Sequence, residues 1–257
     1  MRVETIPIDS SILGGAVLAI HDFEPDAGFG SFERAYVSEH HPLYATCKVP
    51  LDRIASIHAL EEAGFRLVEC QIESGIKLRQ PYDVAGFDYD FLRVTREEEL
   101  EEVLAIAASA FVHDRLSMDP AIGPELSGIR YRRYVLNSFR SPDEAVYRLM
   151  ERASGRVVAF KTHRYVSATQ VLFLLGAVHP NCLTAGLGVI NEYFEFNELI
   201  RRGIRRGITH ISAANHAVFN LEIGKLGFRV LGTAAVLRKI YGGGVRPQQP
   251  PSPDSTV

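Results

Sequence analysis

The most constraining stretch of the chain is GAVHPNCLTAGLGVINEYF, residues 176–194. The residues leading into it, Val171–Val178, form an unbroken apolar run of strand length that reads as a strand covered on both faces. His179-Pro180 breaks that strand, and Gly186-x-Gly188 then opens a helix. The apolar face of the helix steps through Val189, Tyr193, Phe196 and Ile200, and Ile190, Phe194 and Leu199 widen it. A strand that passes through a glycine turn into a buried helix needs a layered α/β structure. It also aims backbone N–H groups at the positive end of a helix, where a pyrophosphate can sit. A dinucleotide-binding turn would carry a third glycine where Asn191 stands, and a P-loop would carry Gly-Lys-Ser/Thr; the chain has neither.

Around this core the pattern continues. Thr95 and Glu98 form a capping box ahead of a helix through Leu100, Val103, Leu104, Ala107 and Phe111. A polar loop and a basic helix at about Ser127–Phe139 follow. AVYRLME and RVVAFKTHRYV flank the turn Ala153-Ser154-Gly155 as a hairpin. After the central helix, Ile208–Ala214 reads as a strand, Asn215 as a helix N-cap and Gly227 as that helix's stop. Two short strands, about Phe228–Leu231 and Ala234–Ile240, close the domain. The expected fold is α/β (α+β), a mixed twisted sheet flanked by helices. The expected domains are a smaller α/β domain over residues 1–90, a main domain over 91–242 and a disordered Gly/Pro/Ser-rich tail over 243–257.

The first domain carries a fainter version of the same ending. Leu60–Ile72 aligns with Ile223–Ala235 on a shared Gly-Phe-Arg step, Tyr44–Val49 aligns with Ile208–Ala214, and Gly28-x-Gly30 precedes as Gly186-x-Gly188 does. Two readings stand: a degenerate half-copy, or a common helix stop that recurs by chance.

From Gly188 the order is a buried helix, a strand, Asn215-x-Ala217-Val218-x-x-Leu221 and Lys225-Leu226-Gly227-Phe228. Here the sequence resembles the GNAT N-acetyltransferases. Their phosphate loop reads Gln/Arg-x-x-Gly-x-Gly/Ala, and their next helix reads Asn-x-x-Ala-x-x-Leu-Tyr-x-x-x-Gly-Phe. A further set of short matches is similar to the acceptor side and N-terminal domain of the dTDP-fucosamine acetyltransferase group. These are Asp114-Arg115-Leu116, Asp119-Pro120, Tyr131 through Ser138, Asp9 through Gly14, and Ala59 through Phe65. There are two departures. Leu183 holds the Gln/Arg position, and the Asn-led helix is one residue longer than the pattern, so the family's tyrosine falls on Glu222 or Ile223.

The resemblance implies direct acetyl transfer from acetyl-CoA to a primary amine, with a nucleotide-linked amino sugar as the first candidate acceptor. It places the coenzyme on Ala177 and Val178 of the central strand, on Thr184, Ala185, Gly186, Leu187, Gly188 and Val189 of the turn, and on Asn215 and Asn220. A backbone N–H at Val178 or its neighbour would face the oxyanion. The amine must lose a proton to attack, so a base is required. The candidate acid/base groups are His179, His163, Glu222, Glu192 and Tyr193, with His179 favoured by its place at the end of the central strand. Asp114, Arg115, Asp119, Arg133 and His163 are candidates for holding the acceptor. Each has a plain alternative: His179 shaping a strand end, Tyr193 filling core, Asp and Arg tying a loop. Two other functions stay open: transfer of a different acyl group or to an amino-acid or antibiotic amine, and a coenzyme-binding module without catalysis.

Composition narrows the setting. A formal charge of −3 over 257 residues gives no reason for nucleic-acid or membrane binding. The longest apolar run is too short to span a bilayer, and the N-terminus lacks a signal-peptide pattern. Cys47, Cys70 and Cys182 stand alone, which points to a reducing cytoplasm. No metal-ligand spacing occurs. The partners expected are a small-molecule amine and no macromolecule, with a homodimer left open.

Overall fold

The computed structural model describes residues 1–25, 28–111, 115–123, 125–182 and 186–242. Expectations for Asp114, Thr184, Ala185 and the tail 243–257 lie outside them. The first elements are β1 (Arg2–Thr5), α1 (Pro7–Leu13), β2 (Val17–His21), α2 (Phe29–His40), β3 (Tyr44–Pro50), α3 (Ile54–Glu62) and β4 (Arg66–Lys77). Then come β5 (Tyr89–Arg93), α4 (Glu101–Ala110), the single turn α5 (Arg115–Met118) and α6 (Glu125–Arg140). β6 (Glu144–Glu151), β7 (Val157–Ser167), β8 (Gln170–Val178), α7 (Leu187–Arg201), β9 (Arg206–Ser212), α8 (His216–Leu221) and β10 (Arg229–Ile240) complete the chain. Among the described residues no helix is long and apolar enough to cross a membrane.

Two sequence expectations shift. The region after Gly227 is one twelve-residue strand rather than two short ones. The helix box ahead of α4 closes on Glu99, not Glu98: its carboxylate accepts the N–H groups of Thr95 (2.9 Å) and Arg96 (3.2 Å). A 3₁₀ turn at Glu97–Glu99 comes between Thr95 and α4 and rotates the acceptor by one residue.

Two compact units share the chain, and they do not divide at residue 90. The first is Met1–Glu69 with Arg115–Leu126 and Ala234–Val257; the second is Cys70–Asp114 with Ser127–Thr233. β4 and β10 each begin in one unit and end in the other. In the first unit the strand order is β1-β2-β3-β10, with β2 and β3 parallel and β10 antiparallel to β3. Leu18, Ile20, Phe29, Tyr36, Phe65 and Leu237 form its core.

In the second unit the order is β4-β9-β8-β7-β6-β5, parallel between β8 and β9 and antiparallel elsewhere. The strand pleat sends alternate residues of β7 to opposite faces. Phe160 joins the core under α4 with Val103 and Ile106. Lys161 and His163 face α7 instead. A further cluster packs α7 onto the sheet through Val171, Phe196, Leu199 and Phe228.

The strand registers decide between the two readings of the repeat. Tyr44–Pro50 pairs with Ile240–Ala234, and Arg206–Ser212 pairs with Lys77–Gln71. Aligning the helix-stop glycines Gly64 (φ 90°) and Gly227 (φ 80°) makes Lys77 equivalent to Ile240, so both seven-residue ladders share one register. The parallel pairs correspond too: Val17 starts opposite Tyr44, as Gln170 starts opposite Arg206. Strand, helix, parallel strand, helix and long antiparallel strand therefore occur twice, and each copy's last strand completes the other copy's sheet. The structural match begins at Arg206, two residues earlier than the sequence alignment from Ile208.

Candidate active site

β8 and β9 pair only over Gln170–Leu172 and Arg206–Ile208. Beyond that point β8 follows β7 up to Val178, while β9 follows β4 up to Ser212, and a wedge opens between them. Two local features part the strands. The β7–β8 register slips between Thr162 and His163, which leaves Leu174 as an extra residue and bends β8. Next to it, the Phe173 ring lies over Gly207 where a Cβ would have no room.

The parted edge of β8 offers backbone donors. Leu175 donates its N–H to Thr162 Oγ1 (3.0 Å) and His179 donates its own to the Val158 carbonyl (2.8 Å), both toward β7. Since successive N–H groups alternate in direction along a strand, those of Gly176 and Val178 point into the wedge. An extended ligand arm can pair with such an edge as an added strand. Gly176 is exposed, Ala177 and Val178 half-buried. α7 starts close by at Gly186, whose φ of 97° suits glycine, and its fifteen residues carry a full helix dipole. Leu187 is buried, Val189 is half-buried, and Gly188 sits under Leu221 of α8.

Beneath the wedge lies a buried charge cluster. Lys161 passes directly under Gly176: a Cβ there would stand 2.7 Å from its Nζ. The ammonium bonds Glu192 and lies 3.5 Å from Glu195 Oε2. Glu195, fully buried, also binds His163 Nδ1 at 2.9 Å. Glu222 completes the cluster from the far side, where Ser74 of β4 donates to it at 3.2 Å. One ammonium among three carboxylates cannot neutralise them all. Burial disfavours the charged lysine, but Glu192 and Glu195 outweigh it and raise its pKa. Burial also raises Glu192, against the pull of Lys161. Glu222 is pushed up to about 7, first by burial and then by Glu192, against Lys161 and the Ser74 hydrogen bond.

The extra residue of the Asn-led helix explains how Glu222 comes to be there. Glu222–Leu226 is a π-helical turn, the form an α-helix takes when one residue is inserted. The wide turn closes with the Gly227 N–H on the Glu222 carbonyl, and Phe228 keeps its buried place after the stop. Asn215 caps α8 as expected, accepting the Val218 N–H at 3.2 Å, and Asn220 is exposed on the same helix.

Other sequence candidates land elsewhere. His179 is half-buried; its Nδ1 accepts the Asn181 N–H at 3.1 Å and so ties the strand end to the following 3₁₀ turn. Two acceptor candidates, Asp119 and His163, are fully buried. Asp119 is fully buried in the first unit, where Arg238 grips both its oxygens (2.7 and 2.9 Å) and Tyr44 donates at 3.2 Å. Burial opposes its charge, but the Arg238 pair holds its pKa below the ordinary value, so it is committed to an internal ion pair. His163 is completely buried, stacked on Tyr147 with centroids 5.5 Å apart, and an acceptor cannot touch it in this conformation. Arg133 is half-buried on α6, and Arg115 starts α5. Tyr193 stacks on Tyr82 at 4.6 Å as core.

Lys161, Glu195 and Ser74 escaped the sequence reading. The signals were a lysine inside the apolar run VVAFKTH and two glutamates, 192 and 195, on a helix packed by aromatic side chains.

No protein-family model matches the chain, and no curated protein matches it in sequence. Solved structures do. A GCN5-related N-acetyltransferase from Sphaerobacter thermophilus is 15% identical with a TM-score of 0.63, over 93% of this chain and 76% of its own. A tandem GNAT protein from the clavulanic acid biosynthesis pathway gives 15% identity and 0.59, over 89% and 76%. A GCN5-related N-acetyltransferase from Kribbella flavida gives 15% and 0.59, over 88% and 82%. With its parted parallel strands and glycine-opened helix, the chain has the fold of the GCN5-related N-acetyltransferases.

Proposed function

We propose that the second unit transfers an acetyl group from acetyl-CoA to a primary amine of a small molecule, with Glu222 as the general base. The observation that carries this reading is a buried carboxylate held near neutrality beside a wedge whose strand edge offers free N–H groups. The N–H groups of Gly176 and Val178 would hold the extended arm of the coenzyme and the oxyanion, and the start of α7 its pyrophosphate. Bound there, the coenzyme supplies an activated thioester. Glu222 takes the proton that an ammonium must lose before it can attack, directly or through water. A carboxylate with a pKa of about 7 is half ionised at working pH and basic enough for that step. Ser74 orients its second oxygen, and Lys161 balances the neighbouring glutamates.

The nucleotide-linked amino sugar suggested by sequence resemblance is the first acceptor to assay; Asp119 no longer supports it. The decisive experiment measures binding of acetyl-CoA by calorimetry and acetylation across a panel of primary amines, for wild type and Glu222→Gln. Binding in both, with turnover in wild type alone, supports the assignment. Absence of acetyl-CoA binding overturns it, and equal turnover in Glu222→Gln removes Glu222 from the role.

A further inference from the structure

We propose a second ligand site in the same unit, a pocket for a small organic phosphate carrying two or more negative charges. It lies at the paired end of β8 and β9, away from the wedge, in a cavity of about 650 Å³ among β4, β9 and the start of β10. Lys77, Arg79, Arg206 and Arg229 line it, and no Asp or Glu does. All four are exposed, and among the described residues none has an acidic partner or a side-chain hydrogen bond. Elsewhere in the same unit, Arg152, Arg201 and Arg202 sit on carboxylates.

The register sharpens the point. Lys77 and Arg206 are direct cross-strand partners. Like charges directly opposite on a sheet repel, and the usual remedy is an acid on the adjacent strand. None lines this pocket, and a bound anion would relieve the repulsion. Four converging cations exceed what a single carboxylate neutralises. Three are arginines, whose planar forks match phosphate oxygens in pairs. Ile208 and Leu226 add an apolar floor for the rest of the ligand. The volume falls within the range of about 300–1,000 Å³ typical of small-molecule sites.

Pyrophosphate is the probe. Calorimetry on the full chain in low salt should show saturable binding that weakens at least about tenfold in Arg206→Gln/Arg229→Gln, as expected when two charge-assisted forks are lost. Because acetyl-CoA itself carries phosphates, the titration is repeated with saturating desulfo-coenzyme A. Unchanged pyrophosphate affinity supports a separate site, and displacement by the coenzyme overturns it. The variant checks its own folding. With like charges removed it should melt at or above wild type in phosphate-free buffer, yet lose the rise in melting temperature that pyrophosphate gives wild type. If it fails to fold, the Lys77→Gln/Arg79→Gln pair takes its place, with the same loss expected. Absence of binding at millimolar pyrophosphate, or equal binding in a folded variant, rejects the proposal. Acetyl transfer is not the readout, so this site and the proposed activity stand or fall separately.

Discussion

Glu222 binds its proton more tightly in the folded chain than out of it, and that has a direction. Between the ordinary carboxylate pKa of 4.5 and about 7, the native state keeps a proton that the unfolded state has released. The stability contributed by Glu222 therefore falls as pH rises through that window, and Glu222→Gln should flatten the profile there, as read by denaturant melts at several pH values. The same titration should appear in kinetics. Wild-type kcat/KM should climb with pH along a limb centred near 7, and Glu222→Gln should lose that limb and roughly 100-fold or more in rate. Lys161 tests the cluster from the other side. Lys161→Met removes the ammonium but leaves Glu192, Glu195 and Glu222 in place. Breaking a buried pair in this way costs on the order of 3–5 kcal/mol, so a large loss in chemical stability at neutral pH is expected and should shrink in acid. Gly176→Ala should reproduce part of it, since its new methyl group meets the lysine chain.

At the scale of elements, one inserted residue separates this site from the family pattern. Deleting Gly224, which has open space around it, should let the π turn relax to an α-helix. The expected result is a folded protein with unchanged acetyl-CoA binding and sharply lower turnover, because Glu222 rotates away from Lys161. The extra residue was countable in the sequence, and its consequence was not: a helix can absorb an insertion as a bulge, a kink or a longer end, and only packing chooses. The same limit explains the other misses. Apolar periodicity exposed α7, β8 and the glycine stop at Gly227, because those depend on local pattern. The burial of Lys161 depends on Gly176, fifteen residues away, which leaves room for the lysine chain beneath the strand. Asp119 sat in a plausible acceptor loop until Arg238 claimed it, a pairing across more than a hundred positions that local pattern cannot carry.

At the scale of the whole molecule, β4 and β10 each pass from one unit into the other. Neither copy pairs its final strand within itself: β4 lies on β9 and β10 on β3. A chain ending at Thr233 keeps every strand of the second unit but strips β10's remaining half from β3, together with Ala235 and Leu237 of the first core and the Asp119–Arg238 pair. Hydrogen exchange on that truncation should show β3 amides unprotected while β7 and β8 remain slow. Equal protection of both sets would mean that the first copy folds without its borrowed strand.

The borrowing also sets a timetable for biosynthesis. β3 (Tyr44–Pro50) leaves the ribosome well before Ala234–Ile240, the residues that cover its edge. At translation rates of about 5–20 residues per second, the interval lasts roughly ten seconds or more. During it, an apolar strand edge with unpaired amides is open to any other nascent chain. Yield should therefore respond to chaperone supply and elongation speed as well as to the stability of the finished fold.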